Sequence, residues 1–231
     1  MRQPWEELEP ASRGAVERQR LATNRLDRFA TTVFAASMAL EMLMVLDRAA
    51  GAGRDGATAS QVMQAVWPSL LAAMLGLLVL LSCWLVYHLE MHYLSHSSGT
   101  LLLIHVLLLP SSLFVPLSTT LLRTVGLTEH TALLLAGNAL LLQALLLLTW
   151  RHAITGGLLF GSNVPARVVV RLRLMLRFAV LALLLTSGLS LVSAAVCLSA
   201  LIAVLATEIV AIALGGYTLE PGPDAAHSRA G

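Results

Sequence analysis

His88, His92 and His96 recur every four residues in the stretch HLEMHYLSH. On a helix that spacing puts three imidazoles on one face, and imidazoles so placed can ligate zinc. The same His-x-x-x-His spacing serves membrane diiron enzymes, which need several separated histidine boxes. Only His105 and His152 remain as further membrane-associated candidates. The reading adopted is a histidine-rich helix end at the membrane interface, with metal binding and pH sensing left open. No cofactor is expected. Serine-nucleophile chemistry finds no support, because LFGSNV lacks the Gly-x-Ser-x-Gly elbow. A phosphate-cradling glycine loop is also absent, so the chain is not read as an enzyme.

Two carboxylates stand inside apolar runs. Glu41 lies 12 residues after Phe29, about 18 Å along a helix axis. A charge at that depth costs a few kcal/mol unless it is paired or wet. Three fates are open: Glu41 attracts cations in a water-filled path, pairs with Arg48 on the same face, or holds a proton. Glu208 raises the same question. Arg167, Arg171, Arg173 and Arg177 are spaced four, two and four apart, unlike the three-residue repeat of a voltage-sensing helix. Attraction to anionic lipid headgroups suits them better. Cys83 and Cys197 both fall in apolar runs and read as small packing residues, not as a disulfide.

The elements that hold these residues follow from composition. Of 231 residues, 57% are hydrophobic and 12% charged, and the mean hydropathy is +0.79. A soluble domain carries about 25% charged residues, so the fold class is an all-α integral membrane protein. All 15 basic residues are arginine, and no separate basic domain exists to bind nucleic acid.

Six apolar runs are expected to form helices. They are Phe29–Leu46, Trp67–Tyr87 with Pro68 in its first turn, Thr100–Leu122 bent by Pro110 and Pro116, and Thr131–Trp150. A fifth leaves the stretch RVVVRLRLMLRF and ends near Thr186. A sixth, Leu189–Leu214, follows a break at SGLS, 187–190. Each has roughly the 20 residues that a bilayer core needs. The fifth has a short uncharged stretch, so Arg173 and Arg177 should snorkel or the helix should tilt little. The runs lack the alternation of a membrane barrel.

Orientation comes from counting arginines. With both ends cytoplasmic, the inner side holds 12 and the outer loops hold Arg48, Arg54 and Arg123. That bias follows the positive-inside rule and predicts a multi-pass cell-membrane protein with both termini inside. Residues 1–24 read as a polar cytoplasmic segment, 25–216 as the membrane domain, and 217–231 as a disordered tail. The small residues of RAAGAG, 48–53, imitate a cleavage site, but the long N-terminal region of mixed charge argues against a signal peptide.

The stretch RLDRFATTVFAASMAL resembles the first-helix signature of the transmembrane protein 175 family of potassium channels. That signature is Arg, three residues, Phe-Ser-Asp, then an apolar run containing Phe-Ala. Arg25, Phe29 and Val33–Ala35 match, while Ala30 and Thr31 stand in the Ser-Asp positions. Trp84 and His88 are similar to the end of the family's second helix, with Tyr87 replacing a histidine. The Pro-bent third segment and the fourth, with Asn138 and Trp150-Arg151, also resemble their counterparts. The resemblance spans roughly residues 24–214.

The resemblance implies a six-helix subunit that assembles as a homotetramer. The first helices would line a central pore, with an apolar constriction and no carbonyl filter loop. It places pore-lining or gate residues at Ala36, Ala39, Leu40 and Leu43, and Glu41, a departure from the family pattern, is a candidate for the cation path on the strength of its depth alone. It also implies a polar network at the cytoplasmic end of the first helix, through Arg25, Phe29, Thr31, Trp84 and His88, with Asp27 as a substitute acid. The function implied is passive conduction of potassium or other monovalent cations. The alternative is a non-conducting member of the same fold with an assembly or regulatory role, to which the altered Phe-Ser-Asp motif and Ala36 point.

Overall fold

A computed structural model describes residues 10–53, 58–94, 98–158 and 166–214, with side chains described from Thr23 onward. Six helices follow in order: α1 (Pro10–Gly53), α2 (Ala59–Tyr93), α3 (Gly99–Val125), α4 (Glu129–Thr155), α5 (Ala166–Leu189) and α6 (Ala194–Leu214). Residues 217–231, expected to be a tail, lie outside the described residues.

Local chemistry sets the helix ends. Thr58 and Thr128 open α2 and α4 in capping boxes, and the Ser98 hydroxyl accepts from the Leu101 amide at 3.2 Å to start α3. Such caps satisfy amides that have no partner inside the helix. Gly126, at φ +88°, ends α3 in a conformation that a side chain would oppose.

Several boundaries differ from the expectation. α1 starts at Pro10, so much of the polar segment is already helical. α2 starts at Ala59, which puts Pro68 inside the helix and not in its first turn. α3 runs on through Pro110 and Pro116. Hydroxyls of Ser111, Ser112, Ser118, Thr119 and Thr120 bond carbonyls three or four residues back along it. The break between α5 and α6 falls at 190–193 rather than 187–190.

Five helices (α1, α2, α3, α4 and α6) are long and apolar enough to cross a membrane. α5 is not among them. Its arginines occupy its first half, and the uncharged remainder, 178–189, is 12 residues long, about 18 Å against a hydrocarbon core of about 30 Å.

Helices α2 and α4 form the middle of the bundle: α2 touches α1, α3, α4 and α6, and α4 touches α2, α3, α5 and α6. Small buried residues on both, Ala72, Ala73 and Gly76 on α2 and Ala132, Ala136 and Ala139 on α4, allow the helices to approach. Dispersion packing of this kind holds membrane helices together where lipid is as apolar as leucine. Phe34, Tyr87, Leu101, Leu142 and Trp150 are fully buried. Phe34 and His105 both pack on the Tyr87 ring, at 5.8 and 5.6 Å between centroids.

Candidate functional site

Helix α1 carries two unlike faces. Ala30, Phe34, Ser37, Glu41 and Val45, three or four residues apart, are buried against α2 and α3. The opposite face is exposed on the subunit: Arg25, Arg28, Phe29, Thr32, Ala35, Ala36, Ala39, Leu43 and Leu46. Of the expected pore residues, Ala36, Ala39 and Leu43 lie on this outer face and Leu40 flanks it, half-buried.

Glu41 points the other way. Its side chain is fully buried and forms an ion pair with Arg123 of α3, and the Thr119 hydroxyl donates to its Oε1 at 2.6 Å. The Arg123 side chain is 8% exposed. The arginine count places it in an outer loop, and the structure makes it a buried partner within α3. Arg48, the expected partner of Glu41, is exposed. Gly76 of α2 completes the pocket: a Cβ there would stand 2.7 Å from Glu41 Cδ and 2.9 Å from Thr119 Cγ2. Two further contacts continue the seam between α1 and α3. Ser37 Oγ lies 3.5 Å from Ser112 Oγ, and the Thr120 hydroxyl lies 2.9 Å from Met44 Sδ.

At the other end of α1 the structure does not join the expected network through Arg25. Arg25 and His88 are exposed, Thr31 is half-buried, and Trp84 stacks on His88 at 5.5 Å. Among the described residues no hydrogen bond links Arg25 or Thr31 to either. The Thr32 hydroxyl bonds the Arg28 carbonyl one turn back, at 2.8 Å. Asp27 instead is the charged neighbour of Tyr87 and His105. It can reach them because it stands three residues before Ala30 and seven before Phe34, on the buried face.

A second buried polar knot ties α2, α4 and α6. Glu208 Oε2 accepts from the Ser82 hydroxyl and from Gln143 Nε2, the latter at 2.7 Å. Glu208 is 4% exposed. Replacing Gln143 by leucine leaves the carboxylate one donor short, and the loss is expected to be about 1–3 kcal/mol of unfolding free energy. Chemical unfolding in detergent reads it. An unchanged midpoint would mean that Glu208 does not depend on this amide.

Nothing among the described residues gathers three or more His, Cys, Asp or Glu side chains close enough to hold a metal ion. His88 and His92 are exposed, His92 lies edge-on to Tyr93, and His96 lies outside the described residues. Cys83 and Cys197 are buried free thiols.

The sequence pattern had singled out Glu41 and Glu208 but neither partner. Gln143 sits in the leucine-rich run of α4, and Arg123 looked like the edge of a loop. A signal was present: an acid deep in one apolar run requires a donor from another, and Arg123 and Gln143 are both within reach of apolar segments.

Residues 25–116 match the family model described as endosomal/lysosomal potassium channel TMEM175. The fold is similar to that in the crystal structure of a lysosomal potassium-selective channel TMEM175 homolog from Chamaesiphon minutus. The TM-score is 0.70 at 20% identity, over 83% of this chain and 98% of that one. A search of curated proteins finds no significant match.

Proposed function

We propose, from the match of residues 25–116 to the TMEM175 potassium-channel family model, that this chain is the subunit of a passive cation channel that conducts potassium. Four copies would surround a central pore lined by the outer faces of their α1 helices. The observation that carries this reading is the division of α1. Its buried acid is turned inward and paired, while a stripe of Ala35, Ala36, Ala39 and Leu43 is left uncovered by the rest of the subunit. Hydrophobic rings in such a pore control its wetting. Glu41 belongs to the subunit interior and stands outside the ion path in this reading. Both termini face the cytoplasm in this reading, following the arginine bias, which requires α5 to cross with Arg173 and Arg177 snorkelling to the interface.

Arg167, Arg171, Arg173 and Arg177 are suited to anionic headgroups. An open groove of about 740 Å³ runs beside them, lined by Val170, Leu174, Phe178 and Ala211 with Arg167 and Arg171. Acyl chains would fit its apolar wall.

Purified protein in liposomes is expected to pass potassium down a gradient, and faster than sodium. Flux of neither ion favours the second reading, a non-conducting member of the fold. The observation behind that reading is that Ala30, in the motif's serine position, is fully buried without a polar group. Native mass spectrometry is expected to show tetramers retaining anionic phospholipids. Monomers would remove the shared pore.

A further inference from the structure

We infer that the polar seam between α1 and α3, centred on Glu41, Thr119 and Arg123 and seated on Gly76, sets the rotation of α1 and so decides which side chains face the pore. The inference rests on the channel reading above, and the residues of the seam are positioning residues rather than parts of the ion path.

Ser37, Glu41 and Met44 stand at i, i+4 and i+7, one narrow stripe of α1. Each meets a side chain of α3: Ser112, then Thr119 with Arg123, then Thr120. The Arg123 guanidinium also lies 3.3 Å from the Thr119 hydroxyl. Toward its N-terminal side the inward face of α1 also carries Thr23 and Asp27, the latter beside Tyr87 and His105; around and beyond the seam its other buried contacts are apolar, chiefly Ala30, Phe34 and Val45. Apolar contacts are non-directional, whereas a hydrogen bond weakens steeply when its angle is lost. A small rotation of α1, within which Phe34 can stay on the Tyr87 ring, therefore disrupts the directional bonds of the seam first.

The outer stripe lies opposite. Successive residues are about 100° apart on a helix. Ala39 is two residues from Ser37 and from Glu41, so it points away from both. Leu40 flanks the outer stripe. A turn of α1 of less than one residue would bring Leu40 forward and take Ala39 back, replacing a small side chain by a branched one. Gly76 holds the register from the third side, because any side chain there occupies the space of the Glu41 carboxylate.

Single cysteines placed by Ala36→Cys, Ala39→Cys, Leu40→Cys and Leu43→Cys, in a Cys83→Ala/Cys197→Ala background, report the orientation. A short thiol cross-linker reads which of them meet across the assembled subunits. With the seam intact, Ala39→Cys is expected to cross-link well and Leu40→Cys poorly. In the double variant Glu41→Met/Arg123→Met, the ratio is expected to shift toward Leu40→Cys by about threefold to tenfold, the range that couplings between contacting elements produce. Removing both charges together leaves no orphan, so the double variant tests geometry apart from stability. An unchanged ratio in the folded double variant overturns the inference, whatever happens to its melting temperature. Should the double variant not fold, Gly76→Ala takes the same measurement with the same two outcomes. Wild-type flux is scored separately: no flux with a shifted ratio overturns the channel reading and leaves the seam's role standing.

Discussion

Arg123→Leu is expected to lower the unfolding free energy by about 3 kcal/mol, the largest loss from any single change in the seam. The Glu41 carboxylate would then stay fully buried with the Thr119 hydroxyl alone. An ordinary hydrogen bond between membrane helices is worth only about 0.6 kcal/mol. The excess is the cost of an orphaned charge, not of a lost contact. Glu41→Gln should cost less, since Arg123 sits in the last turn of α3 and its long side chain can extend toward the interface. Glu41→Met/Arg123→Met should recover most of the loss, because exchanging both partners for apolar groups removes the desolvation penalty as well as the attraction. Unfolding in mixed detergent micelles measures all three. A loss below about 1 kcal/mol for Arg123→Leu would show that water reaches Glu41.

Leu43→Asn is expected to raise potassium flux by about tenfold, the factor given by lowering a barrier by about 1.4 kcal/mol. Leu43 is 60% exposed on the outer face of α1, seven residues beyond Ala36. In the proposed pore, rings of alanine at 36 and 39 would leave a wide gap, and the branched ring at 43 would be where the path narrows and dewets. An amide there gives water donors and acceptors that leucine lacks. Ala36→Leu should act in the opposite sense and lower flux. Liposome flux with equal protein loading compares the three chains. If Leu40→Asn raises flux and Leu43→Asn does not, α1 presents a different face to the pore. If no substitution along 36–43 alters flux, ions take another route.

Much of this was legible in the residues. Apolar runs of about 20 located five of the spans, and the glycine signals came within a few residues of the ends of α5 and α6, whereas Pro68 lies nine residues inside α2. Arg25, Phe29 and Val33–Ala35 sufficed to suggest the family. Less legible was which side of α1 each polar residue serves. The resemblance implies a network near the start of the apolar part of α1, through Arg25 and Thr31. The structure leaves Arg25 exposed and brings Asp27 beside Tyr87 and His105 instead. The fifth segment reads as a span in the sequence, and α5, with four arginines in its first half, is not among the five helices that are long and apolar enough by length and composition alone.

The sequence by itself determined that this is a helical membrane protein, that six helices form among the described residues, and that its first helix resembles that of a potassium-channel family. Those properties depend on transfer from water to lipid and on local helix signals, which are sums over neighbouring residues. Only the tertiary structure decided that Glu41 pairs with Arg123, 82 residues away, and not with Arg48 seven residues on. The physical reason is the crossing of α1, α2 and α3 at one point. Gly76 provides the space and Thr119 a donor, and neither requirement can be read along a single helix.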